Sequence, residues 1–210
     1  MPTSRFDEAA ATWDEQPTRI ALTRDIATTI LAQVPVHAAM TVVDYGCGTG
    51  LLTMALQSAV GRVVGVDTSA GMLAKLQEKL QATGVTNVEA RALDLSTQAP
   101  PDDLHPDLIV SAMTLHHIAE LPNLLRALSQ WLRPGGYLAL ADLDAEDGSF
   151  HGDNADVHHH GIDRDWLAAE LEGLGLQEVR VTTASVIERP NDAGEVKRYP
   201  IFLFSARKVG

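Results

Sequence analysis

The most readable chemistry in this sequence lies in two carboxylates set around three glycines. Val42-Val43-Asp44-Tyr45-Gly46-Cys47-Gly48-Thr49-Gly50 ends a short apolar run with glycines at alternate positions. Glycines there let the backbone turn tightly and approach a ligand with no Cβ in the way. Asp67 comes 21 residues after Gly46 and closes a second apolar run, Arg62-Val63-Val64-Gly65-Val66. A carboxylate in that slot is placed to accept both hydroxyls of a ribose, so the pair reads as a nucleoside-cofactor site. The glycine spacing departs from the dinucleotide pattern G-x-G-x-x-G, because position 51 is Leu. Asp44 just before the loop would repel a pyrophosphate and would suit a cationic amine or sulfonium. Both features favour S-adenosylmethionine over NAD.

A second group of candidates is imidazole. His116 and His117 follow the apolar run Leu108-Ile109-Val110 and are expected to begin a helix. Neighbouring helical residues point about 100° apart, so at most one should face a site, and a core histidine is the alternative for either. Residues 143–162 are acidic and His-rich, with Asp144, Glu146, Asp147, His151, Asp153, Asp156, His158, His159 and His160. Consecutive histidines on a loop lack the ligand spacing of a zinc site, so no metal is assigned. The stretch follows the fifth strand, and ligands in open parallel sheets sit beyond the carboxyl ends of strands. Asp142, His158, His159 and His160 are therefore expected to form a substrate-facing wall, with at least one of these histidines acting as base or positioning group. A solvated acidic loop and a metal site are the other readings. The candidate catalytic residues are His116, His117, His158, His159 and His160. Cys47 has nothing basic beside it in sequence and reads as a packing residue. Trp13, on the N-terminal helix, reads first as a packing residue.

The elements that must position these groups follow from periodicity. Phe6, Ala9, Ala10 and Trp13 share a helical face; Pro17 interrupts, and a second helix is expected from about Thr18 to Val34, with Ile20, Ala27, Ile30, Leu31 and Val34 on one side. From Met40 to Ala141 short apolar strands alternate with helical stretches, ending at Asp44, Asp67, Asp94, Val110 and Ala141. Such alternation implies a parallel sheet covered on both faces. Asp163 reads as the N-cap of a helix through Leu174, and two last strands, 177–187 and 198–207, read as an antiparallel hairpin at the sheet edge.

Bulk properties narrow the function. The 210 residues suit one domain, and 16 Lys+Arg against 28 Asp+Glu give a net charge of −12. That field offers no general attraction to nucleic acid or to an anionic membrane. A single cysteine excludes an intrachain disulfide. No apolar run approaches the ~18 residues of a membrane span. The start, MPTSRFDEAA, carries acids and no apolar core, so it does not read as a signal peptide, and a cytoplasmic location is expected.

VVDYGCGTG, VVGVDTSAGML, ALDL, DLIVSAMTLHHI and LRPGGYLALADLD, in this order, resemble the successive motifs of class I S-adenosylmethionine-dependent methyltransferases. The resemblance is nearest to the small-molecule branch of the ubiquinone/menaquinone-biosynthesis type and is strong over residues 38–144. It implies an α/β Rossmann-like fold: a seven-stranded sheet, mostly parallel, with a C-terminal antiparallel hairpin and helices on both faces. It further implies one methyltransferase domain, with an N-terminal helical lid over 1–37 to which Trp13 and Arg19 would belong, a cofactor-binding core over 38–144, and an acceptor-side insertion with the hairpin over 145–210. Asp44, Gly46, Gly48 and Gly50 would line the methionine half of the cofactor, with Cys47 packed in the same loop. Asp67 would hold the ribose, Thr68 and Met72 would flank the adenosine, and Asp94 with Leu95 would meet the adenine. Ser111, Ala112 and Met113 would face the sulfonium. Tyr45 departs from the small or aliphatic residue usual before Gly46, and either reaches the cofactor carboxylate or packs. The expected activity is methyl transfer to a small-molecule acceptor, releasing S-adenosylhomocysteine. The net charge and the absence of an Asn-Pro-Pro-Tyr motif argue against nucleic-acid acceptors. A non-catalytic S-adenosylmethionine-binding sensor or partner subunit is the alternative.

Overall fold

The computed structural model describes residues 5–152, 155–190 and 195–210. Asp153 of the His-rich stretch and turn positions 191–194 lie outside the described residues. Seven strands form one sheet in the order β3-β2-β1-β4-β5-β7-β6. β1 (Thr41–Tyr45), β2 (Arg62–Asp67), β3 (Val88–Ala92), β4 (Leu108–Ala112) and β5 (Tyr137–Leu143) pair in parallel. β7 (Val196–Lys208) runs antiparallel between β5 and the edge strand β6 (Leu176–Pro190). Both hairpin strands are longer than the sequence pattern predicts. Their ends alternate polar residues and bear no periodicity that separates strand from turn.

The parallel strands read as unbroken apolar runs because both their faces are covered. Val42, Leu108, Val110, Ala139 and Ala141 pack with α2 (Pro17–Gln33) and α3 (Leu51–Leu56). Their neighbours Val43, Ile109, Leu138 and Leu140 pack on the other face with α5 (Leu121–Trp131) and α6 (Arg164–Gly173). Alternation of side chains along a strand distributes each pair to opposite layers. α4 (Ala70–Thr83) adds Leu73 and Leu76 over Cys47. Asp163 caps α6 by accepting from Trp166 N–H at 2.8 Å, as the sequence predicts.

Two expectations need correction. Pro17 opens α2 as its first residue, a position where the missing N–H costs nothing. The buried face of α2 is Leu22, Ile26, Ala27 and Ile30, whereas Ile20 and Leu31 are exposed. Second, His116 and His117 do not begin a helix. They sit in a 3-10 turn, Leu115–His117, and α5 starts later, at Leu121. No described helix is long and apolar enough to cross a membrane.

β1 pairs with β2 on one side and β4 on the other, so chain direction across the sheet reverses there. That switch point opens a crevice beyond the strand ends, where ligands of open α/β sheets bind.

Candidate functional site

A cavity of about 500 Å³ occupies this crevice. One end is built from the β1 loop. Gly46, Gly48 and Gly50 all have positive φ, and Gly50 precedes the first turn of α3. A Cβ on Gly46 would lie 2.3 Å from Thr114 Oγ1, so only glycine brings the loop this close to the end of β4. The N–H groups of Gly46 and Cys47 donate to Val66 O at 2.8 and 3.0 Å, which fastens the loop to β2. Asp67 completes the frame: Oδ2 accepts from Gly48 N–H and Oδ1 from Ser69 N–H, each at 2.8 Å. The Thr68 backbone also hydrogen-bonds this carboxylate, and its about four lone-pair sites still leave acceptor capacity for a ligand hydroxyl.

Asp44 is buried beneath the loop and accepts from Thr53 Oγ1 at 2.6 Å. Burial, with the nearby Asp67 charge adding to it, pushes its pKa up to about 7. Burial likewise raises Asp67. Two carboxylates held against their preference for water favour a cationic partner. The Tyr45 phenol is pushed up to about 12 by burial and then by Asp94, so it remains a neutral hydroxyl. The Cys47 thiol is raised well above its ordinary value, first by burial and then by Asp44 and Asp67, and so is no nucleophile. The donor set fits S-adenosylmethionine: Asp44 for an ammonium, the glycine loop for close backbone approach, and Asp67 for a ribose.

Asp44, Tyr45, Gly46, Cys47, Gly48, Asp67, Thr68, Met72, Ala112 and Met113 line the cavity. Gly50, Asp94, Leu95 and Ser111 do not. Gly50 acts by its backbone, at the helix start. Asp94 caps its own turn, accepting from Ser96 Oγ at 2.6 Å and Thr97 Oγ1 at 3.1 Å. Partial burial opposes its ionisation, but these hydrogen bonds outweigh it and hold the carboxyl below its ordinary value. Ser111 is buried and donates to Tyr45 O at 2.8 Å, tying β4 to β1. Met113 has φ 56, uncommon for a non-glycine residue, and stands at the wall of the cavity.

The other end is rich in imidazole. Both His116 and His117 line the cavity, their ring centroids 4.0 Å apart. The expectation that only one could face the site fails: the short turn just past the end of β4 leaves both residues on the cavity wall. His151 joins them, 5.0 Å from the His116 ring. Burial, then the neighbouring His116, His117, Arg189 and Arg5, hold His151 down to about 4. His117 is lowered by burial and then by His116. His116 Nδ1 lies 2.6 Å from Asp142 Oδ1, both residues being almost wholly buried.

His158, His159 and His160 do not line the cavity. The backbone N–H groups of His158 and His159 donate to His116 O at 2.9 and 3.1 Å, so this stretch braces the histidine turn from behind. The His159 ring contacts Ile118 O at 2.9 Å, and His160 is largely exposed beside Glu146. Of the His-rich stretch and its surroundings, Phe150 and His151 line the cavity in place of these three histidines. Sequence reading placed His151 in the stretch but had no periodicity with which to single it out.

The N-terminal helices form one wall of the cavity, with Phe6, Ala9 and Trp13 among its lining. Asp7 of α1 (Arg5–Ala9) accepts from Ser69 Oγ at 2.6 Å and Gly71 N–H at 2.8 Å. Asp14 accepts from Thr49 Oγ1 at 2.6 Å and pairs with Lys79 at 2.8 Å. Arg19 stacks 3.6 Å from the Trp13 ring centre, and Phe6 meets His117 edge-on at 5.2 Å.

The chain is similar to known proteins in sequence and in fold. The family described as "Methyltransferase domain" matches residues 42–136. Trans-aconitate 2-methyltransferase of Paracidovorax citrulli is 38% identical over 113 residues, covering 53% of this chain and 42% of that protein. The protein of the same name from an Azoarcus species is 39% identical over 137 residues, covering 61% and 50%. The chain thus spans about half the length of the curated relatives it matches. Among solved structures, a SAM-dependent methyltransferase from Aquifex aeolicus superposes with a TM-score of 0.69 at 24% identity, covering 97% of this chain and 98% of that one. Phosphoethanolamine N-methyltransferase 2 of Haemonchus contortus, solved with S-adenosyl-L-methionine, gives 0.70 at 16% identity, covering 100% and 61%.

Proposed function

We propose, starting from a chain that belongs to the class I S-adenosylmethionine-dependent methyltransferases, that its activity is transfer of a methyl group from that cofactor to a small-molecule acceptor. When bound, S-adenosylmethionine supplies a methyl group activated by its sulfonium. The chain's own work is to bind, align and exclude water. Asp44 receives the cofactor's ammonium, and Gly46 and Gly48 admit its methionine half. Asp67 takes the ribose hydroxyls, Thr68 and Met72 flank the adenosine, and Ala112 and Met113 face the reacting end. Residues 1–37 form the lid, 38–144 the cofactor core, and 145–210 the acceptor side.

The observation that carries this reading is that one cavity joins the glycine loop and its two carboxylates to the imidazole cluster. A small acceptor is supported by the cavity's size and by the net charge of −12. Arg5, Arg19 and Arg189 on its wall suit an acidic molecule, and relatives named for trans-aconitate support that class. The relatives do not support the finer resemblance to the ubiquinone/menaquinone branch.

Calorimetric titration with S-adenosylhomocysteine and with NAD tests the cofactor half. Tight S-adenosylhomocysteine binding and none for NAD is expected; the reverse ends this reading. Label transfer from methyl-labelled S-adenosylmethionine to a panel of small acids tests the enzyme half, and binding with no transfer to any acceptor would favour a sensor.

A further inference from the structure

The acceptor end holds a buried pair that cofactor binding leaves unused. Asp142 is fully buried, and both its oxygens accept from the backbone: Oδ1 from Leu143 N–H at 2.7 Å, Oδ2 from Leu115 N–H at 2.8 Å and from His116 N–H at 3.4 Å. A carboxylate so surrounded by donors accepts rather than donates. The 2.6 Å contact is therefore His116 Nδ1–H donating to Oδ1. That tautomer leaves a bare lone pair on Nε2. His116 Nε2 is buried and has no hydrogen-bond partner among the described residues, although His116 lines the cavity. Buried polar atoms are almost always paired, so Nε2 lacks a donor that whatever fills the cavity can bring.

The lone pair also discriminates between acceptors. A carboxylate oxygen carries no proton and would face Nε2 acceptor to acceptor. A protonated amine would have to enter beside the guanidinium groups of Arg5 and Arg189. A neutral hydroxyl donates to Nε2 and adds no charge.

Resting on the methyl-transfer reading above, we propose that His116 is the general base of this chain, that Asp142 positions it, and that the acceptor's nucleophile is a hydroxyl group. The acceptor O–H bond breaks and its proton passes to Nε2. Its electron pair forms the new bond from oxygen to the methyl carbon, and the pair of the former sulfur–methyl bond stays on sulfur, which becomes neutral. Asp142 offsets the charge on the imidazolium and keeps Nε2 aimed at the acceptor, the role that a carboxylate plays behind histidine in triads. The proton then leaves to water.

The test begins with the full chain labelled with ¹⁵N in histidine, alone and saturated with S-adenosylhomocysteine. His116 should show a protonated Nδ1 and a bare Nε2 in both states, and Asp142→Asn should mix the tautomers. A protonated Nε2 in the neutral ring, or a tautomer indifferent to Asp142→Asn, overturns the proposal whether or not any acceptor is found. The second arm uses methyl-labelled S-adenosylmethionine with 4-hydroxyphenylacetate, which offers both a hydroxyl and a carboxylate, and with trans-aconitate, which offers carboxylates only. Label should appear as an alkali-stable ether on the hydroxyl. His116→Ala should lower kcat at least about a hundredfold with KM for the cofactor unchanged. Label found only in alkali-labile esters, made equally well by His116→Ala, overturns the proposal. Transfer to neither probe counts against the methyl-transfer reading itself, while the ring spectra still decide the base.

Discussion

The two ends of the cavity are built in different ways. The cofactor end is made of backbone: a loop whose glycines have positive φ, fastened to β2 through Val66 O and to Asp67 through Gly48 N–H. Its parts lie within 24 residues in sequence, from Asp44 to Asp67. The acceptor end is made of side chains drawn from distant segments: His116 after β4, Asp142 in β5, His151 beyond it, and Arg5 and Arg189 from the two extremes of the chain. A backbone cradle tolerates few sequences, so it can hold one invariant ligand. A wall of side chains on loops can be changed residue by residue while the frame stays intact. Under the proposed function, the first end holds the cofactor and the second chooses the acceptor.

Substitutions should separate the two ends by what they change. The largest effect belongs to the acceptor end: His116→Ala should cost about 10²–10⁴ in turnover while calorimetry finds S-adenosylhomocysteine affinity unchanged. Loss of affinity in a folded His116 variant would merge the two ends into one. At the cofactor end, Asp67→Ala should weaken S-adenosylhomocysteine about ten- to a hundredfold, the worth of a charge-assisted hydrogen bond. Unchanged affinity would remove Asp67 from the site.

A smaller effect is set by pH. The folded-state pKa of Asp44, about 7, lies above its ordinary carboxylate value, so the folded protein holds a proton that the unfolded chain has released. Stability should fall as pH rises from about 4 to 7 and level off above. Asp44→Asn should flatten that slope and raise the melting temperature at alkaline pH, while abolishing the preference for an ammonium-bearing ligand. In the wild type an ammonium draws the carboxyl back to its charged form, so cofactor affinity should fall on acidification below about 7. Titrations in buffers of different ionisation heat would reveal the released proton, and equal heats near pH 6 would contradict it.

The smallest effect concerns the lid. Asp14→Ala removes the contacts to Thr49 and Lys79. Each is worth about 0.5–1.5 kcal/mol at most, so cofactor affinity should drop only a few-fold. Hydrogen exchange over Phe6 to Trp13 should slow on adding S-adenosylhomocysteine and should be faster throughout in the variant. Equal exchange with and without ligand would make these helices mere packing.

The difference between the two ends also governs what could be read from sequence. Strand–helix alternation, the glycine loop and Asp67 are local patterns, and each appears in the structure where its spacing put it. Asp94, Leu95, Ser111 and Gly50 were legible as members of the same motifs, but their places depend on tertiary detail, and the cavity wall passes them by. The His-rich stretch misled for the same reason. Three consecutive histidines drew attention to 158–160, yet their backbone braces the turn that holds His116. His151, Phe150 and Arg189 carry no spacing signal, because a loop and a hairpin bring them to the site. The pairing of His116 with Asp142 spans 26 residues and two strands, a contact that only the β4–β5 register creates.

The most direct measurement of the central claim is a crystal structure of the chain with S-adenosylhomocysteine. The account predicts the ribose hydroxyls on Asp67, the amino group toward Asp44, and the sulfur facing Ala112, Met113 and the His116 ring across open cavity. A ligand whose ribose lies elsewhere, or whose sulfur points away from the histidines, would contradict the claim that one cavity brings cofactor and acceptor together.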